Sequence, residues 1–224
     1  MPRFFVRDIP AGSEIELSPA EARHAVRSRR LRVGDPVTIS NGKGQTYRCE
    51  IHRVEGGRVV VRVGPAETDA PRRTVVVASA IPKGKRLAWM IQKLAELGVT
   101  EFVPVAFQRS VVRWSAAKSA RLEKIAVEAA KQSDRSDLMT IGAEITADEL
   151  AGFAGPTFVA LWGADKTLVE ASKGAPFARI VIGPEGGFAP GEAELLGATP
   201  VSLGRTVLRV ETAAVAAAAV LAQL

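Results

Sequence analysis

At residues 179–188 the chain reads RIVIGPEGGF, a short apolar run followed by a loop that contains three glycines. The run 179–183 has the length and the β-branched content of a buried strand. Open α/β sheets bind their ligands in loops at the carboxyl ends of strands, so the loop 182–188 is a candidate binding loop. Gly186 and Gly187 have no Cβ, which lets a ligand lie against the main chain. The alternative is that the loop is only a tight strand-to-helix turn.

The composition of this loop argues against two common nucleotide sites. It lacks the Lys-Ser/Thr ending of a P-loop and the G-x-G-x-x-G spacing of a dinucleotide-binding fingerprint. The carboxylate of Glu185 would also repel a triphosphate. The loop therefore favours a neutral or cationic small molecule.

From residue 74 onward, strand patterns alternate with helix patterns. Strands are predicted at 74–81, 99–107, 156–162, 179–183 and 200–204. Helices are predicted at 85–98 with Gly98 as the C-terminal cap, after Ser115, and from about Glu211. This alternation predicts a mostly parallel sheet covered by helices on both faces.

The first third of the chain has a different pattern. Short β-like stretches at 37–40, 45–54 and 58–63 are separated by glycine turns, which indicates a small barrel or meander. One helix is predicted to begin at Ser18 as N-cap, with Pro19 in its first turn. The polar, proline-containing segment 68–73, TDAPRR, is the predicted domain boundary.

The basic charge favours an anionic partner, and nucleic acid is favoured over a membrane because no basic amphipathic helix is evident. The net charge is +6, and residues 1–72 carry 13 basic against 9 acidic side chains, compared with 17 against 15 in the remainder. A solvated Arg-rich surface is the alternative. The densest basic cluster surrounds the end of the N-terminal helix, where we expect contacts with RNA from His24, Arg27, Arg29, Arg30 and Arg32.

Several other classes are disfavoured. The apolar run 213–222 is shorter than the roughly 18 residues that a membrane span needs. The N-terminus carries charges where a signal peptide is apolar, and the single Cys49 cannot form an internal disulfide, so we expect a cytoplasmic protein. His24, His52 and Cys49 lack the spacing of metal ligands, and no metal site is expected.

The C-terminal segment 203–224, LGRTVLRVETAAVAAAAVLAQL, supplies a second loop predicted at the same sheet edge. Its small residues allow another backbone to approach closely, within the domain or between subunits. Ala-rich helices also form by propensity alone, which is the alternative explanation.

Taken together, several segments closely resemble one known family. They are IGPEGGF, LGRTVLRVETAAVAA, IQKLAELGV, RLEKIAVEAAKQSDR and the N-terminal RHAVRSRRLRVGD. The family that they resemble is the RsmE family of 16S ribosomal RNA uridine N3-methyltransferases. Two departures stand out: Val210 replaces a usual Thr, and SDR follows Gln132 where Cys-Gly-Arg is common.

The resemblance implies a PUA-like β-barrel that binds RNA over residues 1–70 and a SPOUT-class α/β methyltransferase domain with a trefoil knot over 73–224. It implies a homodimer that acts on 16S rRNA within the small ribosomal subunit, with S-adenosylmethionine as cofactor. Carried over by motif, the cofactor-binding residues are Leu161, Ile182, Gly183, Pro184, Glu185, Gly186, Leu203, Gly204, Val207, Leu208 and Arg209.

For catalysis, methyl transfer to uridine N3 needs loss of a weakly acidic proton or cations that stabilise the resulting anion. Arg109 and Arg209 are the candidate cations, and Glu185 and Glu211 are the candidate proton acceptors. Each has an alternative role: Arg109 in holding a phosphate, Arg209 in pairing with Glu211, and Glu185 in capping the helix after Pro190.

Other roles for the same sequence remain open. Lys83, Lys85 and Arg86 fit either an RNA path or a solvated turn. One rival function is a knotted methyltransferase with another RNA target or acceptor atom. Another is a non-catalytic RNA-binding protein.

Overall fold

The computed structural model describes residues 1–10, 12–69 and 72–223. The chain folds into two compact units, one formed by residues 1–71 with 130–138 and the other by 72–129 with 139–224. Ala70 and Pro71 of the predicted joint and the C-terminal Leu224 lie outside the described residues. The first unit is therefore built from two separate stretches of sequence.

The first unit is built on a five-stranded sheet with the order β1-β3-β4-β5-β2. All its ladders are antiparallel except the one between β1 and β3. Its strands are β1 Arg3–Phe5, β2 Glu14–Glu16, β3 Pro36–Ser40, β4 Gln45–Glu55 and β5 Arg58–Thr68. Strand β4 has one buried and one exposed face: Tyr47, Cys49 and Ile51 are buried, whereas Arg48 and Glu50 are exposed.

The predicted helix lies between β2 and β3. Helix α1 spans Pro19–Arg23 and continues as a π-helical turn, His24–Ser28. The Ser18 hydroxyl accepts a hydrogen bond of 3.3 Å from the backbone N–H of Glu21, as an N-cap does. Ala22 and Ala25 face a core that also contains Phe4, Leu17 and Ile39.

Residues 130–138 complete the first unit and include the SDR departure. Arg135 of that motif is buried and forms an ion pair of 2.6 Å with Asp137. Lys131 forms another of 2.7 Å with Glu21, and Asp134 pairs with Arg3 at 2.8 Å. Arg135 is common to SDR and to the usual Cys-Gly-Arg, so the departure is at Ser133 and Asp134, and its effect is that Asp134 supplies the ion-pair partner of Arg3.

The second unit contains seven strands and the remaining helices. The strands are β6 Thr74–Ser79, β7 Glu101–Ala106, β8 Thr140–Ile141, β9 Ile145–Thr146, β10 Thr157–Ala160, β11 Phe177–Ile182 and β12 Thr199–Val201. The helices are α2 Arg86–Glu96, α3 Ala116–Gln132, which ends within 130–138, α4 Ala147–Ala151, α5 Leu168–Ser172, α6 Glu192–Leu195 and α7 Val210–Leu221.

The prediction of a mostly parallel sheet is confirmed. The strand order is β12-β10-β11-β6-β7-β8, with β9 paired to β7, and every ladder among the described strands is parallel. One face packs against α2, α3 and α7, through side chains such as Met90 and Ala214. The other packs against α4 and α6, through Leu150 and Leu196. Helices therefore cover both faces, as predicted.

The parallel arrangement decides where a site can form. Because all the strands run in one direction, the loops that follow β6, β7, β10, β11 and β12 emerge at the same sheet edge. The RIVIG run lies in β11, which pairs with β6 on one side and β10 on the other. Its glycine loop therefore emerges from the middle of that edge.

Candidate active site

A cavity of about 1020 Å³ lies at the carboxyl edge of the second sheet. This is at the upper end of the range for small-molecule sites, roughly 300–1,000 Å³. The predicted cofactor-binding residues that line it are Leu161, Ile182, Gly183, Pro184, Glu185, Leu203, Gly204, Val207, Leu208 and Arg209. Gly186 is the one member of the predicted set outside the lining. The structure thus brings three separate chain segments, following β10, β11 and β12, around a single space.

The glycine loop holds its shape through close local packing. Gly187 has a φ of +70° and donates its backbone N–H to the carbonyl of Pro184 at 2.9 Å. A Cβ on Gly183 would lie 2.7 Å from the ring of Phe188. That ring in turn packs edge-on against Phe107, with 5.2 Å between the ring centroids. Glycine at 183 therefore permits an aromatic contact that anchors the loop.

A buried carboxylate joins this loop to the one after β7. Glu192 accepts hydrogen bonds from the backbone N–H groups of Gln108, at 2.8 Å, and Ala189, at 2.9 Å. Glu192 was not among the residues predicted from the sequence. Its position in the first turn of a helix was the available signal, but its burial depends on a segment 84 residues away.

Arg109, in the loop that follows β7, also contacts the glycine loop. Its Nη1 donates a hydrogen bond of 3.0 Å to the carbonyl of Gly186, and its side chain lines the cavity. The structure therefore places this candidate cation beside the predicted cofactor loop.

Arg86 stands between the two candidate proton acceptors. Its Nη1 lies 2.9 Å from Oε1 of Glu185 and 3.7 Å from Oε1 of Glu211. The side chain of Glu211 is only 9% exposed, and its Oε2 is buried with no hydrogen-bond partner among the described residues. Arg86 is thus part of an ion-pair cluster at the cavity, whereas Lys83 and Lys85 of the same segment are exposed.

This cluster also bears on the alternative roles of the acidic residues. Glu185 is engaged by Arg86 rather than by the helix that follows Pro190, and Glu211 lies beside Arg86. Arg209 lines the cavity. Val210, the departure from the usual Thr, is buried in the main core cluster, where its apolar side chain fits.

The predicted RNA-binding residues lie in the first unit, around the π-helical turn. Arg27, Arg29, Arg30 and Arg32 are exposed, and His24 is half-buried with its ring edge-on to Phe4. The π-helical turn is fixed by backbone hydrogen bonds from Arg29 to His24, at 3.1 Å, and from Leu31 to Ala25, at 3.0 Å. The segment after it is fixed by a hydrogen bond of 2.7 Å from the backbone N–H of Arg32 to the Asp35 carboxylate. The arginine side chains are therefore displayed outward from an ordered turn.

Metal ligands and membrane spans were both disfavoured by the sequence. Within residues 1–10, 12–69 and 72–223, no group of three or more His, Cys, Asp or Glu side chains could hold a metal ion. No helix in those ranges is long and apolar enough to span a membrane.

The chain matches a known protein family over most of its length. A family model described as an RNA methyltransferase domain matches residues 68–222, and an RNA methyltransferase PUA domain matches residues 17–64. A protein of Synechocystis sp. named ribosomal RNA small subunit methyltransferase E is 32% identical over 89% of this chain and 69% of its own. The chain belongs to the ribosomal RNA small subunit methyltransferase E family. The Bacillus subtilis member is 29% identical over 95% of this chain and 93% of its own.

Solved structures of this methyltransferase family share the fold. The methyltransferase E of Neisseria gonorrhoeae bound to S-adenosylmethionine superposes with a TM-score of 0.89, at 27% identity, over 98% of this chain and 95% of its own. A Legionella pneumophila protein in complex with the same cofactor gives 0.86, at 30% identity, over 98% and 96%. Structures similar to this chain have thus been crystallised with bound cofactor.

Proposed function

We propose that this chain transfers the methyl group of S-adenosylmethionine to N3 of a uridine in 16S ribosomal RNA. Residues 1–70, together with 130–138 of the first unit, would form its RNA-binding PUA-like domain, and the remainder of 73–224 its SPOUT methyltransferase domain. The observation that carries the proposal is the cavity at the sheet edge, which is lined by the glycine loop and by the segment 203–210. The chain that forms this cavity is a member of a methyltransferase family.

The residues around the cavity fit this cofactor. Apolar side chains of Ile182, Leu203 and Leu208 line the space and suit the faces of an adenosine. The buried Oε2 of Glu211, which lacks a partner in the described part of the chain, suits a cation or a donor. Arg86 and Glu185 on the wall suit the charged groups of an amino acid.

S-adenosylmethionine supplies, when bound, a methyl group already activated by a sulfonium. The main task of the protein is therefore to align this methyl with the acceptor nitrogen. The backbone of the loops 182–186, 203–204 and 207–209 would hold the cofactor from several sides. We place Leu161 at the fourth side, after β10.

The acceptor N3 must lose its proton as the new bond forms. Glu211 and Glu185 are the proposed proton acceptors: Glu185 lines the cavity, and one oxygen of Glu211 has no partner within the described residues. Arg109 and Arg209 are proposed to stabilise the negative charge that develops on the base carbonyls. Both arginines line the cavity, which supports this assignment.

For substrate binding, we propose that His24, Arg27, Arg29, Arg30 and Arg32 contact the RNA. Their placement on an ordered turn, with the four arginines exposed, supports this role, because arginine forks bind phosphate oxygens and stack on unpaired bases. With ribosomal RNA as substrate, within the small subunit, the enzyme would act in the cytoplasm.

We further propose that the enzyme is a homodimer and that its C-terminal segment is knotted. Trp162 and Val207 line the cavity yet remain 73% and 79% exposed, which supports cover by a second copy. The segment 203–210 borders the same cavity as the glycine loop, which is the placement that a threaded chain would give it.

Two measurements test the proposed function. Isothermal titration with S-adenosylmethionine should show binding, and mass spectrometry of nucleosides from ribosomal RNA incubated with enzyme and cofactor should show N3-methyluridine. Detection of a different methylated nucleoside would show methyl transfer to RNA but would change the proposed acceptor atom. Absence of binding would favour a non-catalytic RNA-binding protein.

A further inference from the structure

Arg86, Glu185 and Glu211 form a charge cluster at the cavity with one cation for two carboxylates. Arg86 and Glu185 line the cavity directly. Glu211 is not itself a lining residue: it lies in the first turn of α7, next to the lining residue Val210, with its Oε1 3.7 Å from Nη1 of Arg86. We refer to these three residues, two of which are acidic and one basic, as the acidic triad.

The guanidinium of Arg86 serves the two carboxylates unequally. Its Nη1 makes a hydrogen-bonded ion pair of 2.9 Å with Glu185 but lies 3.7 Å from Glu211. The second oxygen of Glu211 is buried and has no hydrogen-bond partner in the described ranges of the chain. With both carboxylates ionised, the acidic triad carries one negative charge more than Arg86 compensates. Arg109 and Arg209 also line the cavity, but both are exposed to solvent, whereas Glu211 is protected.

A protected negative charge next to a cavity favours a cationic occupant, because water screens it less than it would at the surface. S-adenosylmethionine has one net positive charge, from its sulfonium. The product S-adenosylhomocysteine has the same adenosine and the same amino-acid end, but it is neutral overall. The two therefore differ at this site by a methyl group and by one charge.

Because the chain is proposed above to bind S-adenosylmethionine, we propose that the acidic triad makes it prefer the cationic cofactor to the neutral product. The charge of Glu211 attracts the sulfonium form, and that attraction ends when the methyl group leaves. The triad would thus assist product release as well as cofactor selection.

The test measures two affinities by isothermal titration, one for S-adenosylmethionine and one for S-adenosylhomocysteine. The quantity compared is the affinity for S-adenosylmethionine divided by the affinity for S-adenosylhomocysteine, called the ratio below. Damage to the shape of the site lowers both affinities and cancels in the ratio, whereas a change in charge does not. We expect Glu211→Gln and Glu185→Gln each to lower the ratio about tenfold, mainly through weaker binding of S-adenosylmethionine.

Two further variants sharpen this test. Glu194→Gln removes another cavity-lining carboxylate that is not part of the triad, and it should leave the ratio within about twofold of wild type. Arg86→Met removes the compensating cation and should raise the ratio. Opposite signs for the arginine and the glutamate variants are not expected from a purely structural role.

Each outcome has a defined meaning. If both ligands bind wild type, and Glu211→Gln and Glu185→Gln weaken both equally, the acidic triad does not discriminate charge and the inference is wrong. A ratio that does not rise in Arg86→Met overturns the part assigned to Arg86. If wild type binds neither ligand, the proposed function itself fails.

Discussion

Arg109 Nη1 donates a hydrogen bond of 3.0 Å to the carbonyl oxygen of Gly186. The bond joins the loop that follows β7 to the glycine loop that follows β11, although β6 lies between these strands in the sheet. The side chain of Arg109 also lines the cavity. Arg109 is therefore placed to hold the cofactor loop and to present positive charge to a base.

We expect Arg109→Met to slow methyl transfer by about 100-fold, because a positioned cation that stabilises developing charge contributes on this scale. Arg109→Lys should recover only part of the rate, since an ammonium cannot reproduce the guanidinium fork. Single-turnover kinetics at saturating cofactor measure the chemical step. A fall in cofactor affinity as large as the fall in rate would instead assign Arg109 to the support of the loop.

Gly183 and Gly186 of the glycine loop should respond differently to substitution. At Gly186 a Cβ would meet only Arg109, at 3.7 Å, an ordinary contact, so Gly186→Val should fold but lose cofactor binding. At Gly183 a Cβ would lie 2.7 Å from Phe188, so Gly183→Ala should lower the free energy of unfolding by about 1–3 kcal/mol. Titration with cofactor and urea denaturation separate the two effects. Normal affinity in Gly186→Val would mean that the ligand does not approach this backbone.

Glu192→Gln should destabilise the protein by about 1–3 kcal/mol. The two carboxylate oxygens each accept a backbone N–H, and an amide would turn one NH2 group toward one of those donors. Urea denaturation measures the change, and Glu194→Gln, at a cavity-lining position two residues along, is the matched control. Equal stability of the two variants would show that the buried bonds of Glu192 contribute nothing net.

Reversal of charge at Arg27, Arg30 and Arg32 to Glu should abolish specific RNA binding and flatten its dependence on salt, because phosphate contacts release counterions. The control is reversal of three other arginines that are exposed on the same unit and form surface ion pairs, Arg48, Arg53 and Arg58. Because three arginines are again changed to Glu, the change in net charge is the same. Filter binding at several salt concentrations compares the two triple variants. Equal losses of RNA affinity in the two triple variants would show that the effect comes from overall charge and not from the predicted RNA-binding residues.

The proposed dimer predicts a mass in solution of twice 23.7 kDa by light scattering at micromolar concentration. Val207→Glu should weaken both association and cofactor binding, because Val207 is exposed and lines the cavity. Phe153→Glu, at an exposed apolar position that does not line the cavity, is the comparison. A fully active wild-type monomer would contradict a shared site.

Sequence periodicity was sufficient to predict the parallel sheet and the position of the glycine loop, because buried strands and amphipathic helices leave strong local patterns. Strands of two or three residues, such as β1 and β8, are too short to show a period. Helices α4 and α5 were not predicted, although Thr146 with Glu149 and Thr167 with Glu170 form capping boxes that the T-x-x-E spacing indicates.

The charged part of the site was harder to predict for a physical reason. Arg86 and Glu185 are 99 residues apart, and only the parallel arrangement of their strands brings the loops that carry them together. Glu185 and Glu211 could be named from the sequence because they lie within or beside the motifs of the two loops. Arg86 was named only for an RNA path or a solvated turn, and its pairing with these carboxylates was not predicted, because an ion pair has no periodicity along the chain.

The first unit is discontinuous in sequence, because it includes residues 130–138. Asp134 pairs with Arg3, and the carbonyl of Ser136 accepts a hydrogen bond from the Ser40 hydroxyl. Truncation of the chain near residue 70 would therefore remove the partners of the N-terminal sheet that lie in residues 130–138. The first unit therefore cannot be exchanged between relatives as one continuous segment: both stretches must be transferred, because transfer of residues 1–71 alone would leave the largely buried Arg3 without Asp134 as its counterion.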